Sequence, residues 1–148
     1  MKVIIITSSR ADFGLLKNLI IFLKKNKKFN IKLIASGSHF YNKFGNTFEE
    51  INKSGLKIYK KIKFKFNDDD EISISKILSY AVIETSKILK KNSPDLIIVL
   101  GDRYEIMGSA IASHLCKIPI AHIHGGEVTH GVIDDAFRHS ITKMSNIH

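Results

Sequence analysis

Asp102 follows the apolar run Asp95–Leu100 within the string GDRYE. A carboxylate at the end of a buried strand is partly desolvated, which suits proton transfer. The same position also suits the N-cap of a following helix, and residue types alone leave both roles open. His122-Ile123-His124 precedes Gly125-Gly126-Glu127. Extended backbone would set both imidazoles on one face, and paired glycines would admit a ligand close to the main chain. A third metal ligand at suitable spacing is missing, so proton handling or substrate binding is the expected role, with no metal or other cofactor. Ser8-Ser9-Arg10-Ala11-Asp12 follows the first apolar run. Main-chain N–H groups opening a helix beside an arginine suit a phosphate, although a plain strand–helix turn has the same look. Asp134-Asp135 opens a later helical pattern, where acids complement the helix dipole, and Arg138 and His139 lie one turn on.

These groups need elements to hold them. Lys2–Thr7 and Asp95–Leu100 are short, continuous, β-branched runs that read as strands buried on both faces, and Ile31–Ala35 and Pro119–Ile123 are similar. Leu56–Phe66 alternates, with Ile62, Phe64 and Phe66 opposite Lys61, Lys63 and Lys65, as a lysine-guarded edge strand would. Helical spacing predicts helices over Asp12–Asn26 (with Asp12 as N-cap), Phe44–Asn52, Glu71–Asn92, Tyr104–Cys116 and Asp134–Ser145. Cys116 is expected to be a small buried apolar group. Alternating strands and helices imply an α/β, doubly wound parallel sheet of order 3-2-1-4-5, whose switch point lies between strands one and four. The loops carrying Arg10, Asp102, His124 and Glu127 then meet at the strands' carboxyl edge.

The chain has 148 residues, one cysteine and 44% hydrophobic content, which fits a single domain in a reducing, cytoplasmic setting. No apolar run approaches the roughly 18–20 residues of a membrane span, and no signal-peptide pattern opens the chain. The net charge of +9 is uneven: residues 1–67 hold 15 basic and 3 acidic residues, whereas residues 68–148 hold 8 and 11. That acidic second half argues against a basic nucleic-acid-binding module, so no nucleic-acid partner is expected. No GxGxxG, Walker or CxxC pattern is present. Only three of the 23 basic residues are arginine, Arg10, Arg103 and Arg138, and lysine does not replace a planar fork.

The strings TSSRADFGLLK, SGSHFYNKFGNT, GDRYE and HIHGGEVTHGVIDDAFRHSITKMSNIH resemble, in order and over nearly the whole chain, the hydrolysing UDP-N-acetylglucosamine 2-epimerases of sialic-acid-type sugar synthesis. All three arginines fall within them. The resemblance implies that residues 1–148 are the N-terminal Rossmann-like domain of a two-domain, glycosyltransferase-B-type fold, with the cleft closed by a nucleotide-holding second domain. It implies elimination of UDP from a 2-acetamido sugar through a glycal-like intermediate, then hydration with inversion at C2, in a homo-oligomeric parent protein whose substrate is a nucleotide sugar. By motif, Asp102, Glu127, Asp134 and His124 are the catalytic candidates, and Arg10, His39, Arg103 and Arg138 bind substrate or support the site. Many relatives have glutamate where this chain has His124, and lysine where it has Leu15. Lys17, some 200° further round a helix, is not a simple substitute for that lysine. The nearest enzymatic alternative is a non-hydrolysing epimerase that leaves UDP attached.

Overall fold

The computed structural model describes residues 1–41, 47–64, 70–128 and 133–148. Five parallel strands, β1 (Lys2–Thr7), β2 (Asn30–Ser36), β3 (Ile58–Ile62), β4 (Leu96–Leu100) and β5 (Ile120–Ile123), form one sheet in the order β3-β2-β1-β4-β5. The helices are α1 (Arg10–Lys25), α2 (Thr47–Lys53), α3 (Glu71–Asn92), α4 (Tyr104–Leu115) and α5 (Ile133–Met144), and a short 3-10 turn spans Gly37–Phe40. This is the α/β, doubly wound Rossmann-like arrangement expected from the strand–helix alternation.

Successive side chains of a strand point to opposite faces, so the continuous apolar runs feed two cores. Ile4, Ile6, Ile34, Ile97 and Val99 pack under α3, α4 and α5, against Ile77, Ala81, Leu89, Ile106 and Ile141. Val3, Ile5, Leu33, Ala35, Ile98 and Leu100 pack under α1 and α2, against Phe13, Leu16, Ile20 and Ile51. A helix long and apolar enough to cross a membrane is not found among the described residues.

Several local expectations are corrected. Asp12 is not the N-cap of α1: Ser9 is, its hydroxyl accepting from the Asp12 amide at 3.2 Å. The Asp12 carboxylate lies one turn in and reaches back to the Ser8 amide (3.1 Å) and hydroxyl (2.6 Å). The edge strand is shorter than the alternation suggested, and a register shift at Leu33/Ile34 leaves Tyr59 without a partner in β2, with Tyr59, Lys60 and Lys61 all exposed. Phe64 is buried beyond the strand's end, while Lys65 and Phe66 lie outside the described residues. The predicted helix over Phe44–Asn52 is described only from Thr47. Cys116 ends α4 as its C-cap and is half-buried. The far edge of the sheet is not bare: Asn146 and Ile147 donate to the Ile120 carbonyl, and the His122 amide donates to Ile147 at 2.8 Å.

Candidate active site

The carboxyl ends of β1, β4 and β5 share one edge of the sheet, so the turns that follow them meet there. After β4 the chain turns at Gly101 (φ +79) into Asp102, and Arg103 is the N-cap of α4 with no side-chain cap bond. Asp102 is therefore not the cap of α4. Instead Arg138, reaching across from α5, donates to Asp102 Oδ2 through Nε at 3.1 Å and also through Nη2. Its Nη1 donates to Glu127 Oε2 at 3.2 Å. Arg138 is 12% exposed, and the Asp102 hydrogen bond is the main reason its charge is held more firmly than usual, aided by both carboxylates and opposed by burial. Because Arg138 engages only Oδ2, the other Asp102 oxygen is not committed to it.

His124 completes the cluster. It leaves β5 with φ +60, an uncommon left-handed conformation for a residue with a side chain, and its Nδ1 lies 3.2 Å from Glu127. The two histidines do not work as a pair on one face. His122 is buried inside β5, with Nε2 2.7 Å from the Gly101 carbonyl and Nδ1 3.0 Å from the Thr142 hydroxyl. Both of its ring nitrogens are occupied, and burial holds the ring below its usual pKa.

The remaining candidates are spread around this centre. Asp134 stands in the first turn of α5, one turn before Arg138, and is half-buried. Arg10 opens α1 at the same sheet edge, largely exposed, and pairs with Glu50 at 2.9 Å. Arg103 is half-buried and its Nε donates to Glu105 Oε1 at 2.7 Å. Burial pushes the Glu105 carboxyl up, with Arg103 pulling the other way, and Glu105 Oε2 has no partner among the described residues. Gly37 faces this carboxyl: a Cβ there would lie 2.5 Å from Glu105 Oε1 and 2.7 Å from the Ser8 carbonyl, and its φ is +61. A side chain at position 37 would push the turns after β1, β2 and β4 apart.

His39 lies inside the fold. It is fully buried, with Nε2 2.9 Å from the Thr7 hydroxyl and Nδ1 2.9 Å from the Thr47 hydroxyl, so it ties the 3-10 turn to β1 and α2. Burial lowers its pKa to about 4 against the opposing pull of Asp12 and Glu50. The structure thus brings Asp102, His124, Glu127 and Arg138 into contact, sets Arg10, Arg103 and Asp134 on flanking turns, and places His39 beneath. Sequence reasoning missed Glu105 and Thr142. A glutamate in the first turn of a helix and a threonine late in one look like ordinary dipole and surface choices, and only the packing shows their partners.

The sequence profile described as UDP-N-acetylglucosamine 2-epimerase matches residues 22–148. Over 147 residues, 99% of this chain, it is 42% identical to a Campylobacter jejuni protein named GDP/UDP-N,N'-diacetylbacillosamine 2-epimerase (hydrolyzing). It is 36% identical to the Escherichia coli polysialic acid biosynthesis protein P7 over the same length. The chain spans about 38% of the length of each of these relatives. Among solved structures, the UDP-GlcNAc 2-epimerase of Neisseria meningitidis bound to UDP-GlcNAc superposes with a TM-score of 0.86 at 19% identity, covering all of this chain and 40% of that one. The Methanocaldococcus jannaschii enzyme in complex with UDP-GlcNAc and UDP gives 0.83 at 23% identity, covering 98% and 39%. Those structural likenesses establish the fold, and the profile match together with the sequence identity establishes the kinship: this chain belongs to the UDP-N-acetylglucosamine 2-epimerase family.

Proposed function

We propose that residues 1–148 are the N-terminal, Rossmann-like domain of a hydrolysing 2-epimerase that acts on a UDP-linked 2-acetamido sugar and works with a second, nucleotide-holding domain. The observation that carries this reading is the contact cluster of Asp102, Arg138, Glu127 and His124 at the switch edge of the sheet. The naming of the 42%-identical relative as a hydrolysing diacetamido-sugar epimerase supports the hydrolytic outcome.

The reaction asks for two proton transfers and a supported leaving group. A base takes the C2 proton, the electron pair forms the C1–C2 double bond, and the C1–oxygen bond breaks to release UDP. Water then adds across that double bond, its hydroxyl to C1 and a proton to the opposite face of C2. The C2 proton is weakly acidic, so the base must be held in place and the departing diphosphate stabilised. Asp102, Glu127, Asp134 and His124 are the proton-handling candidates. Arg138 fixes one oxygen of Asp102 and leaves the other for the sugar. Arg10, in the first turn of α1, is the candidate partner for the diphosphate, with Arg103, after β4, as a second.

The test is product analysis with the longer protein that carries these residues. Incubation with UDP-N-acetylglucosamine, and separately with a UDP-linked 2,4-diacetamido-trideoxy sugar, should yield free UDP and a manno-configured free sugar from at least one. A mixture of intact UDP-sugar epimers would identify the non-hydrolysing reaction and overturn this reading.

A further inference from the structure

We propose that His122 and Thr142 are positioning residues that clamp the Gly101–Asp102 turn to the Gly125–Glu127 loop and so set where Asp102 stands relative to His124 and Glu127. The inference rests on the reading above, in which those three side chains do the chemistry.

The proton positions follow by elimination. The Gly101 carbonyl can only accept, so His122 Nε2, 2.7 Å away, carries the hydrogen. In the neutral ring Nδ1 is then a lone pair, and the Thr142 hydroxyl at 3.0 Å must donate to it. That leaves the Thr142 oxygen free to accept, and it takes the Gly126 amide at 3.1 Å. One continuous chain of hydrogen bonds therefore runs from the residue before Asp102 to the residue before Glu127.

Two further observations agree with a clamp. Thr142 and Arg138 are four residues apart on α5, one above the other on the same face. That face thus holds both loops twice, by charge through Arg138 and by the neutral relay through Thr142. Gly125 marks how tightly the relay is enclosed. A Cβ at that position would lie 2.9 Å from His122 Nδ1, 2.9 Å from the His148 Cβ and 3.0 Å from Thr142 Oγ1. Its φ is not in the left-handed region, so the space, and not the backbone conformation, calls for glycine there.

Nitrogen-15 spectra of the His122 ring in the 148-residue chain should show the neutral Nε2–H form, and the Nδ1–H form would overturn the proposal. Thr142→Val removes the hydroxyl at nearly constant volume, whereas Thr142→Ser keeps it. Thr142→Val should speed Gly126 amide exchange by about fivefold, the usual worth of one such bond, with Thr142→Ser close to wild type. In the longer protein Thr142→Val should lower kcat at least about tenfold with KM little changed, because a small misplacement costs the chemical step more than binding. Thr142→Ser should restore kcat. Faster Gly126 exchange with unaltered kcat would make the bonds merely structural and overturn the positioning role. If the wild-type protein turns over no UDP-sugar, the functional reading fails, while the ring tautomer and Gly126 exchange still decide whether the clamp exists.

Discussion

Arg138 meets two carboxylates at once, through Nε and Nη2 to Asp102 and through Nη1 to Glu127. A lysine offers one point charge and could not span both, which gives a reason for arginine in a chain that otherwise prefers lysine. The scarcity of arginine was visible in the composition, but the partner was not, since 36 residues separate Arg138 from Asp102. Of the two roles that residue types left open at Asp102, the structure removes the cap, which falls on Arg103. Asp102→Asn keeps shape and removes charge. It should lower turnover by about 10²–10⁴, the usual worth of a positioned acid or base, while leaving the fold intact. Progress curves of UDP release by wild type and variant are the check, and a variant within tenfold of wild type would leave Asp102 only its ion pair. His122 was legible as a residue but not as a role. The alternating geometry of a strand suggested a pair with His124, and the left-handed turn at His124 separates them.

At the scale of elements the hydrophobic periodicity was nearly sufficient. The sheet order, the buried strands and the limits of α3 were all readable, because a run of β-branched residues and a 22-residue amphipathic pattern have few alternatives. The bulge near the start of β3 was not readable, since it changes which residues pair without changing their types. Two consequences belong here. His39 joins β1, the 3-10 turn and α2 as a neutral ring, with a pKa lowered by burial from 6.5 to about 4. Below pH 6.5 the unfolded chain binds a proton there that the folded chain does not, so stability present at neutral pH is lost as pH falls toward 4, by about 3 kcal/mol in all. Urea midpoints from pH 7.5 to 4.5 should fall less steeply for His39→Asn than for wild type, and parallel curves would remove His39 from the account. The second consequence concerns Gly108 on α4, where a Cβ would lie 2.8 Å from both the Ala81 Cβ and the Leu78 carbonyl of α3. Alanine is the better helix former by about 1 kcal/mol, yet Gly108→Ala should destabilise by about 1–3 kcal/mol because main chain cannot give way as a side-chain tip can. Equilibrium denaturation measures it, and a stabilised variant would mean that α3 and α4 separate easily.

Charge divides the whole molecule along the same line as its expected chemistry. The contact cluster after β4 and β5 holds two acids, Asp102 and Glu127, against the single cation Arg138. A diphosphate would find little attraction there. Arg10 and the N-terminus of α1 lie on the basic half of the chain, after β1. On the proposed function, a nucleotide sugar lying across the switch point would place its sugar by the acids and its diphosphate by Arg10. In the proposed two-domain reading the uridine would be held by a second domain, and the chain spans about 38% of the length of its curated relatives. Binding energy from a remote nucleotide is what aligns a weakly bound sugar with its base, so its loss depresses the chemical step as well as affinity. The 148-residue chain alone should accordingly release no UDP above background from UDP-N-acetylglucosamine over a long incubation. The same residues within the longer protein should do so, dependent on Asp102. Sustained, Asp102-dependent release by the short chain would place the whole active site within these five strands and their loops, and would remove the need for a second domain.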